Sequence, residues 1–232
     1  LARRPYSPVM MTIAPNTVMH YANSVKYLYG LGFRYIICSP DYAGDWSDAT
    51  LEILRKQYKL LADYYRELTL AEEKFYLSPF EVKISSHINK DNYCSERCEL
   101  GKKQISVSPE GKFYPCVQFV GDDKFCIGDV INGIDEKKRL SLYNLNEKER
   151  TSCRSCAIRN RCNHWCACLN KQATGDFLKV SPVLCAHERM LLPVADALAE
   201  ELYKKRAAIF IQKQYNDMFP LLSLTEDKVL RK

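Results

Sequence analysis

Cys153 and Cys156 are separated by two residues, Cys156 and Cys162 by five, and Cys162 and Cys166 by three, with Cys185 following after a gap. Upstream, twelve residues separate Cys98 from Gly111 and four separate Gly111 from Cys116. With Cys94 these make a set of eight sulfur ligands among the eleven cysteines of the chain. Two cysteines two residues apart direct both sulfurs at one metal centre from a single turn. Thiolates gathered this densely suit soft metals, either zinc or iron-sulfur clusters; core cysteines would be scattered at the period of the secondary structure. The other three read differently. Cys38, at the end of a strand, is a small buried core residue, Cys126 a strand residue, and Cys168 a spare thiol beside the metal.

Disulfides are the competing use of so many cysteines. The first residues, Leu1 to Pro8, hold no apolar core of a signal peptide, and no run reaches the ~18 apolar residues of a membrane helix, so neither export nor membrane insertion is expected. A cytoplasmic location is the expectation, and there disulfides do not persist; the odd cysteine count leaves at least one thiol unpaired in any case. The formal charge is +6 with every cysteine counted neutral. Two 4Fe-4S clusters on eight thiolates would contribute about −4, leaving roughly +2. The basic runs Lys102-Lys103, Lys137-Lys138-Arg139 and Lys204-Lys205-Arg206 are short and scattered. They read as solvated faces, and no nucleic-acid or membrane partner is expected.

The elements that must carry these residues fall into three stretches, 1–88, 89–188 and 189–232. In the first, Val9 to Ile13 is a strand closed by Ala14-Pro15-Asn16. A helix follows with Val18, Tyr21, Ala22, Val25 and Leu28 on one face and ends at Gly30-Leu31-Gly32. Phe33 to Ser39 is a second strand, and Leu51, Leu54, Tyr58, Leu61, Tyr65 and Leu68 mark the core stripe of a second helix. Phe80 to Ser85 reads as a further strand. Alternating strands and helices imply parallel pairing through right-handed crossovers, and so few parallel strands cannot cover their own faces and edges. The stretch therefore reads as the end of a larger α/β unit whose earlier strands precede the sequence given.

From Cys94 to Cys185 the pattern changes. Ile105 to Ser108 and Lys112 to Cys116 flank Pro109-Glu110-Gly111 as a β-hairpin, with Gly111 supplying the positive φ of the turn and so the register that aims Cys116. Phe125 to Val130 adds a strand. Cys153 to Cys168 is too cysteine-rich for regular structure, and metal bonds there would replace a core. Met190 to Phe219 reads as helix, with Leu191, Val194, Ala195, Leu198 and Leu202 on one face.

The spacing of seven cysteines and one glycine resembles the C-terminal SPASM domain of radical S-adenosylmethionine enzymes: Cys98, Gly111, Cys116, Cys153, Cys156, Cys162, Cys166 and Cys185 fill every position of its signature. The resemblance covers roughly residues 90 to 190, and the preceding stretch resembles the last strand-helix units of the partial (β/α) barrel of those enzymes. The implied fold class is α/β, a barrel end followed by a small cysteine-rich domain and C-terminal helices. The resemblance also implies two auxiliary 4Fe-4S clusters with crossed ligands. Cys94, Cys98, Cys116 and Cys166 would hold the first, and Cys153, Cys156, Cys162 and Cys185 the second. Cys94 lies outside the signature; without it one iron would be open to a substrate thiolate.

Two departures shape the functional expectation. The radical-generating cluster of this superfamily needs C-x3-C-x2-C, and Cys94-x3-Cys98 has Gly101 where the third cysteine belongs, while Cys162, Cys166 and Cys168 miss by one residue. S-adenosylmethionine and a third 4Fe-4S cluster are thus expected only in a full-length relative, and no catalytic residue is assigned. The sulfatase-maturing branch places an Asp after the cysteine equivalent to Cys116, where this chain has Val117. Ser39-Pro40-Asp41-Tyr42, Cys116-Val117-Gln118-Phe119 and the run from Cys162 to Cys168 resemble maturases of ribosomally made peptides, a class of oxidoreductase. The expectation is the auxiliary-cluster half of such a maturase, with a peptide partner rich in cysteine and an external electron donor. Its alternatives are a stand-alone iron-sulfur electron carrier or peptide-docking module, and a zinc-binding four-cysteine interaction domain. His164 with Trp165 reads as packing around a cluster, Asp41 and Asp45 as turn formers, and His87 and His187 show no partner in the sequence.

Overall fold

The alternation of apolar runs with helical stripes builds a parallel sheet. The computed structural model describes residues 7–89 and 98–229, and the chain divides into two units, Leu1–Lys90 with Ala186–Lys232, and Asp91–Cys185. In the first, β1 (Val9–Ile13), β2 (Tyr35–Pro40) and β3 (Tyr76–Leu77) lie in the order β1-β2-β3, all parallel. The helices α1 (Tyr21–Gly30) and α2 (Asp48–Leu70) make the crossovers. Val9 stands opposite Ile36 and Met11 opposite Cys38, so these side chains share a face with Ile13. That face is covered: Ile36, Val25, Leu54, Tyr58, Leu61 and Tyr65 are buried in one core. The α2 stripe read from the sequence is thus the core stripe. Its start is set by Ser47, whose Oγ accepts from Thr50 N at 3.2 Å while Ser47 N donates to Thr50 Oγ1 at 2.9 Å, a reciprocal cap worth ~1 kcal/mol.

The opposite face of the sheet is more open, with Met10 78% exposed. Tyr35, Ile37 and Tyr76 on this side line a cavity of about 540 Å³ together with Phe219, Leu224 and Asp227 from the C-terminal helix. Among the described residues β1 is paired on one edge only.

Two expectations for this unit are corrected. Phe80 to Ser85 is not a strand but part of α3 (Ser78–Ile88). Its alternation of apolar and polar residues suggested a strand, yet Pro79 in the first turn favours a helix, and Phe80 and Ile84 reach the core together at four-residue spacing. Glu81 and Lys83 also point inward, because both find partners there. The expected helix from Met190 to Phe219 is three helices, α6 (Pro182–Lys204), α7 (Ala208–Tyr215) and α8 (Phe219–Val229). The chain breaks at Arg206, which has φ 56°, and the Glu72 carboxylate accepts from Ala208 N at 2.7 Å and Ile209 N at 2.6 Å to cap α7.

The second unit contains two hairpins, β4 (Ser106–Val107) with β5 (Phe113–Tyr114) and β6 (Gly128–Asp129) with β7 (Gly133–Ile134), followed by α4 (Glu136–Glu147) and α5 (Ala167–Thr174). The expected strand from Phe125 to Val130 shrinks to β6, since Asp123–Phe125 forms a 3₁₀ turn. Cys126 therefore lies just before β6, with its Sγ donating to Gly128 O at 3.3 Å. Gly128 has φ 135°, and a Cβ there would stand 2.0 Å from Gly133 O. The core of this unit is small: Leu100, Tyr114, Phe119 and Phe177 are its large buried members. Phe119, Phe125 and Phe177 stack with centroids 4.3 to 5.7 Å apart.

Candidate metal centre

The β4-β5 hairpin places Cys116. Gly111 turns it with φ 80°, Gly111 N donates to Ser108 O at 2.9 Å, and a Cβ at Gly111 would meet Val130 Cγ2 at 2.8 Å. Glycine is thus required twice, for the dihedral and for the space. Beside the end of the hairpin, Gly101 N donates to Pro115 O at 3.2 Å, which holds the segment carrying Cys98 and the buried Leu100 against it. Cys166 caps α5, and Cys168 sits in the first turn of that helix.

These segments bring together thiols that are far apart in the sequence. Burial, then the charges of Cys166 and Cys116, raise the Cys98 thiol to about 11. The Sγ of Cys168 stands 3.7 Å from that of Cys116 and 3.3 Å from that of Cys166. Contact with Cys168 is the main cause that holds Cys116 down to about 6 against the opposing effect of burial, and it lowers Cys166 as well. Cys168 is correspondingly raised far above an ordinary thiol. Gln104 Nε2 also donates to Cys116 Sγ at 3.5 Å. The resemblance would make Cys98, Cys116 and Cys166 ligands of one cluster; Cys116 and Cys166 each touch Cys168 and Cys98 feels the charge of both, while Cys94, the fourth, lies outside the described residues.

Cys153, Cys156, Cys162 and Cys185 are half-buried. Cys153 ends the 3₁₀ turn Thr151–Cys153, Cys156 N donates to Cys153 O at 3.1 Å, and Cys162 closes a second such turn, Arg159–Arg161. Cys185 lies in the first turn of α6, where its N donates to Ser181 O at 3.1 Å. His164 is buried, packs on Trp165 at 4.8 Å and contacts Cys162 O through Nδ1 at 3.2 Å.

The donor chemistry fits a thiophilic metal, since thiolates are its ligands and two of the gathered cysteines are shifted toward that form. Among the described residues, no three His, Cys, Asp or Glu side chains are already disposed around a metal position. The sulfurs in contact would have to part to admit one.

Some residues that organise the sites are invisible in the sequence. Arg150 is 1% exposed and donates to the carbonyls of Asn146, Lys148 (2.9 Å), Trp165 (3.4 Å) and Phe177 (3.5 Å), with its guanidinium 4.6 Å from the Trp165 ring. It ties both flanks of the second cysteine run together. In the first unit, His187 bonds to two tyrosines, Tyr42 OH at 3.0 Å from Nδ1 and Tyr58 OH at 2.7 Å from Nε2. Burial and then Lys83 depress His187 to about 3, so it stays neutral. Lys83 pairs with Glu188 at 2.7 Å, and Glu81 accepts from Tyr65, Lys213 and Gln214. His87 meets Asp196 at 3.2 Å. Cys38 is buried and raised to about 12, and Asp41 makes a turn by accepting from Ala43 N at 3.1 Å. The partners of His187 lie more than a hundred residues away in sequence, and no local pattern signals them.

The mixed α/β structure is similar to that of a radical S-adenosylmethionine enzyme with a SPASM domain. The solved structure of a polyhistidine-tagged anSMEcpe with bound AdoMet, an anaerobic sulfatase-maturating enzyme, matches with TM-score 0.69 and 16% identity over 89% of this chain. "Native anSMEcpe with bound AdoMet and Cp18Cys peptide" matches with TM-score 0.67 and 16% identity over 85% of this chain. The corresponding structure with Kp18Cys peptide matches with TM-score 0.62 and 15% identity over 85%. The chain spans 57 to 58% of those chains, and at such identities the likeness is one of fold. No protein-family model matches the sequence, and no curated protein does. No helix among the described residues is long and apolar enough to cross a membrane.

Proposed function

We propose that this chain is the auxiliary-cluster half of a radical S-adenosylmethionine peptide maturase. Cys94, Cys98, Cys116 and Cys166 would hold one 4Fe-4S cluster, and Cys153, Cys156, Cys162 and Cys185 a second. The observation that supports the reading is the contact of Cys168 with both Cys116 and Cys166, which puts two of the proposed ligands from separate segments in one place, in a chain whose fold is similar to that of the anSMEcpe structures. When bound, an auxiliary cluster supplies an electron acceptor or a binding point for a substrate sulfur. The chain's own residues hold and shield the site. Gly111 and the Pro115–Gly101 contact orient Cys116, Gln104 donates to its sulfur, and Arg150 fixes the flanks of the second run. Peptides bound in the similar structures support a peptide substrate. Val117 in place of the Asp of sulfatase-maturing relatives, 64% exposed beside Cys116, favours a ribosomally made peptide over a sulfatase. An external electron donor is the remaining partner, and the chain does not generate the radical by itself.

Anaerobic reconstitution with iron and sulfide is the test. The expected result is about eight irons per chain with acid-labile sulfide and a brown chromophore. Replacing Cys153 and Cys156 by Ala should remove roughly half of the iron. Zinc alone, with no visible absorption, would overturn the reading.

A further inference from the structure

The cysteine that the signature does not use is the one in contact with two that it does. Cys168 is 5% exposed and Cys116 4%. A buried thiol 3.7 Å from a second and 3.3 Å from a third must close by less than ~2 Å to reach the ~2.0 Å of a disulfide. Cys116 and Cys166 are unequal partners for it. Cys166 is the extended N-cap of α5 and Cys168 the second residue of that helix, so a bond between them would close a tight ring across a single residue and strain the helix start, although their sulfurs are the closer pair. Cys116 precedes the 3₁₀ turn Val117–Phe119 on a different segment, and its bond to Cys168 leaves α5 intact.

We propose that Cys168 is a resolving thiol that guards the first metal site when the chain carries no metal. Hydrogen peroxide oxidises Cys116: the sulfur attacks one peroxide oxygen, the O–O bond breaks, the leaving hydroxide takes up the proton given up by the Cys116 thiol, and sulfenic acid and water form. The Cys168 sulfur then attacks the sulfenic sulfur, the S–OH bond breaks, a second water leaves with the Cys168 proton, and a Cys116–Cys168 disulfide results. Two thiols have lost two electrons in all, and one hydrogen peroxide has become two waters. The disulfide protects Cys116 from over-oxidation and withdraws it from the ligand set. Two equivalents of a thiol reductant restore it by exchange. This withdrawal rests on the assignment of Cys116 to the first cluster, but the disulfide itself does not.

The test treats the metal-free full chain with a few equivalents of hydrogen peroxide, alkylates it and digests it with trypsin. Cleavage after Lys112, Lys124, Arg161 and Lys171 puts Cys116 alone in one peptide and Cys162, Cys166 and Cys168 in another, so tandem mass spectrometry reads the linkage. The expected product joins Cys116 to Cys168. In Cys168→Ser and Cys168→Ala the link should vanish and Cys116 should advance to sulfinic acid, with circular dichroism reporting the retained fold. Oxidised wild type should take up roughly half the iron of reduced chain, and dithiothreitol should restore the rest. Cys168 recovered as an alkylated thiol, or linked to Cys166, overturns the proposal. A Cys116–Cys168 link with undiminished iron uptake overturns the guarding role. A reduced chain that binds no iron counts against the proposed function, while the linkage still decides the chemistry of Cys168.

Discussion

His187 shows how one buried side chain ties stability to pH. Its ring is neutral and held between Tyr42 and Tyr58, so one hydroxyl donates to it and the other accepts from it. Burial and then Lys83 lower it to about 3 in the folded chain, against ~6.5 when unfolded. Above the unfolded value neither state is protonated and the group has no effect. Below it the unfolded chain binds the proton first, so stability should fall by ~1.4 kcal/mol per pH unit between about pH 6 and 4. His187→Leu should be less stable at pH 7, and the gap to wild type should narrow as the pH drops. Denaturant titrations at pH 7, 6 and 5 check this, and parallel curves would refute it. Arg150 allows a comparable experiment in the second unit. Arg150→Met leaves several buried carbonyls without a donor, an expected loss of about 3 kcal/mol. Arg150→Lys should recover only part of it, because an ammonium cannot reproduce the fork. Thermal unfolding followed by tryptophan fluorescence, with Trp165 stacked on the guanidinium, reports both.

At the scale of elements, Gly111 and Gly128 are the sharpest points of failure. Gly111→Ala combines φ 80° with a 2.8 Å approach to Val130, and should cost about 1 to 3 kcal/mol. Gly128→Ala must displace the backbone of Gly133, whose oxygen would stand 2.0 Å from the new Cβ, and should lose more of the unit's stability than Gly111→Ala in the same denaturant titration. The hairpin was legible in the sequence because Pro109-Glu110-Gly111 is a local signal between β-forming runs. The α2 stripe was legible because an apolar period sustained from Leu51 to Leu68 outweighs any single exception. The segment from Phe80 to Ser85 was misread because Glu81 and Lys83 mimic solvent-facing alternation, while their actual partners, Lys213 and Glu188, arrive from distant helices. The Arg206 break was missed because no glycine or proline marks it. Cys168 looked spare for a related reason. A spacing pattern ranks cysteines by interval, and only folding reveals which sulfurs touch.

Across the whole molecule the two units are built on different terms. Among the described residues, twenty-four buried apolar side chains form the core of the first and only seven that of the second, two of them cysteines. Burial alone can sustain the first; under the proposed function the second would rely on metal–thiolate bonds. With clusters withheld, calorimetry should show the second unit melting at lower temperature, and reconstitution should raise that transition and leave the other in place. A single transition unaffected by metal would contradict this. The sheet of the first unit carries one more consequence. Among the described residues β1 is paired on one side only and Met10 is open to solvent, so the outer side of β1 is where a further parallel strand would add to this sheet, and a charge at Met10 would oppose its packing there.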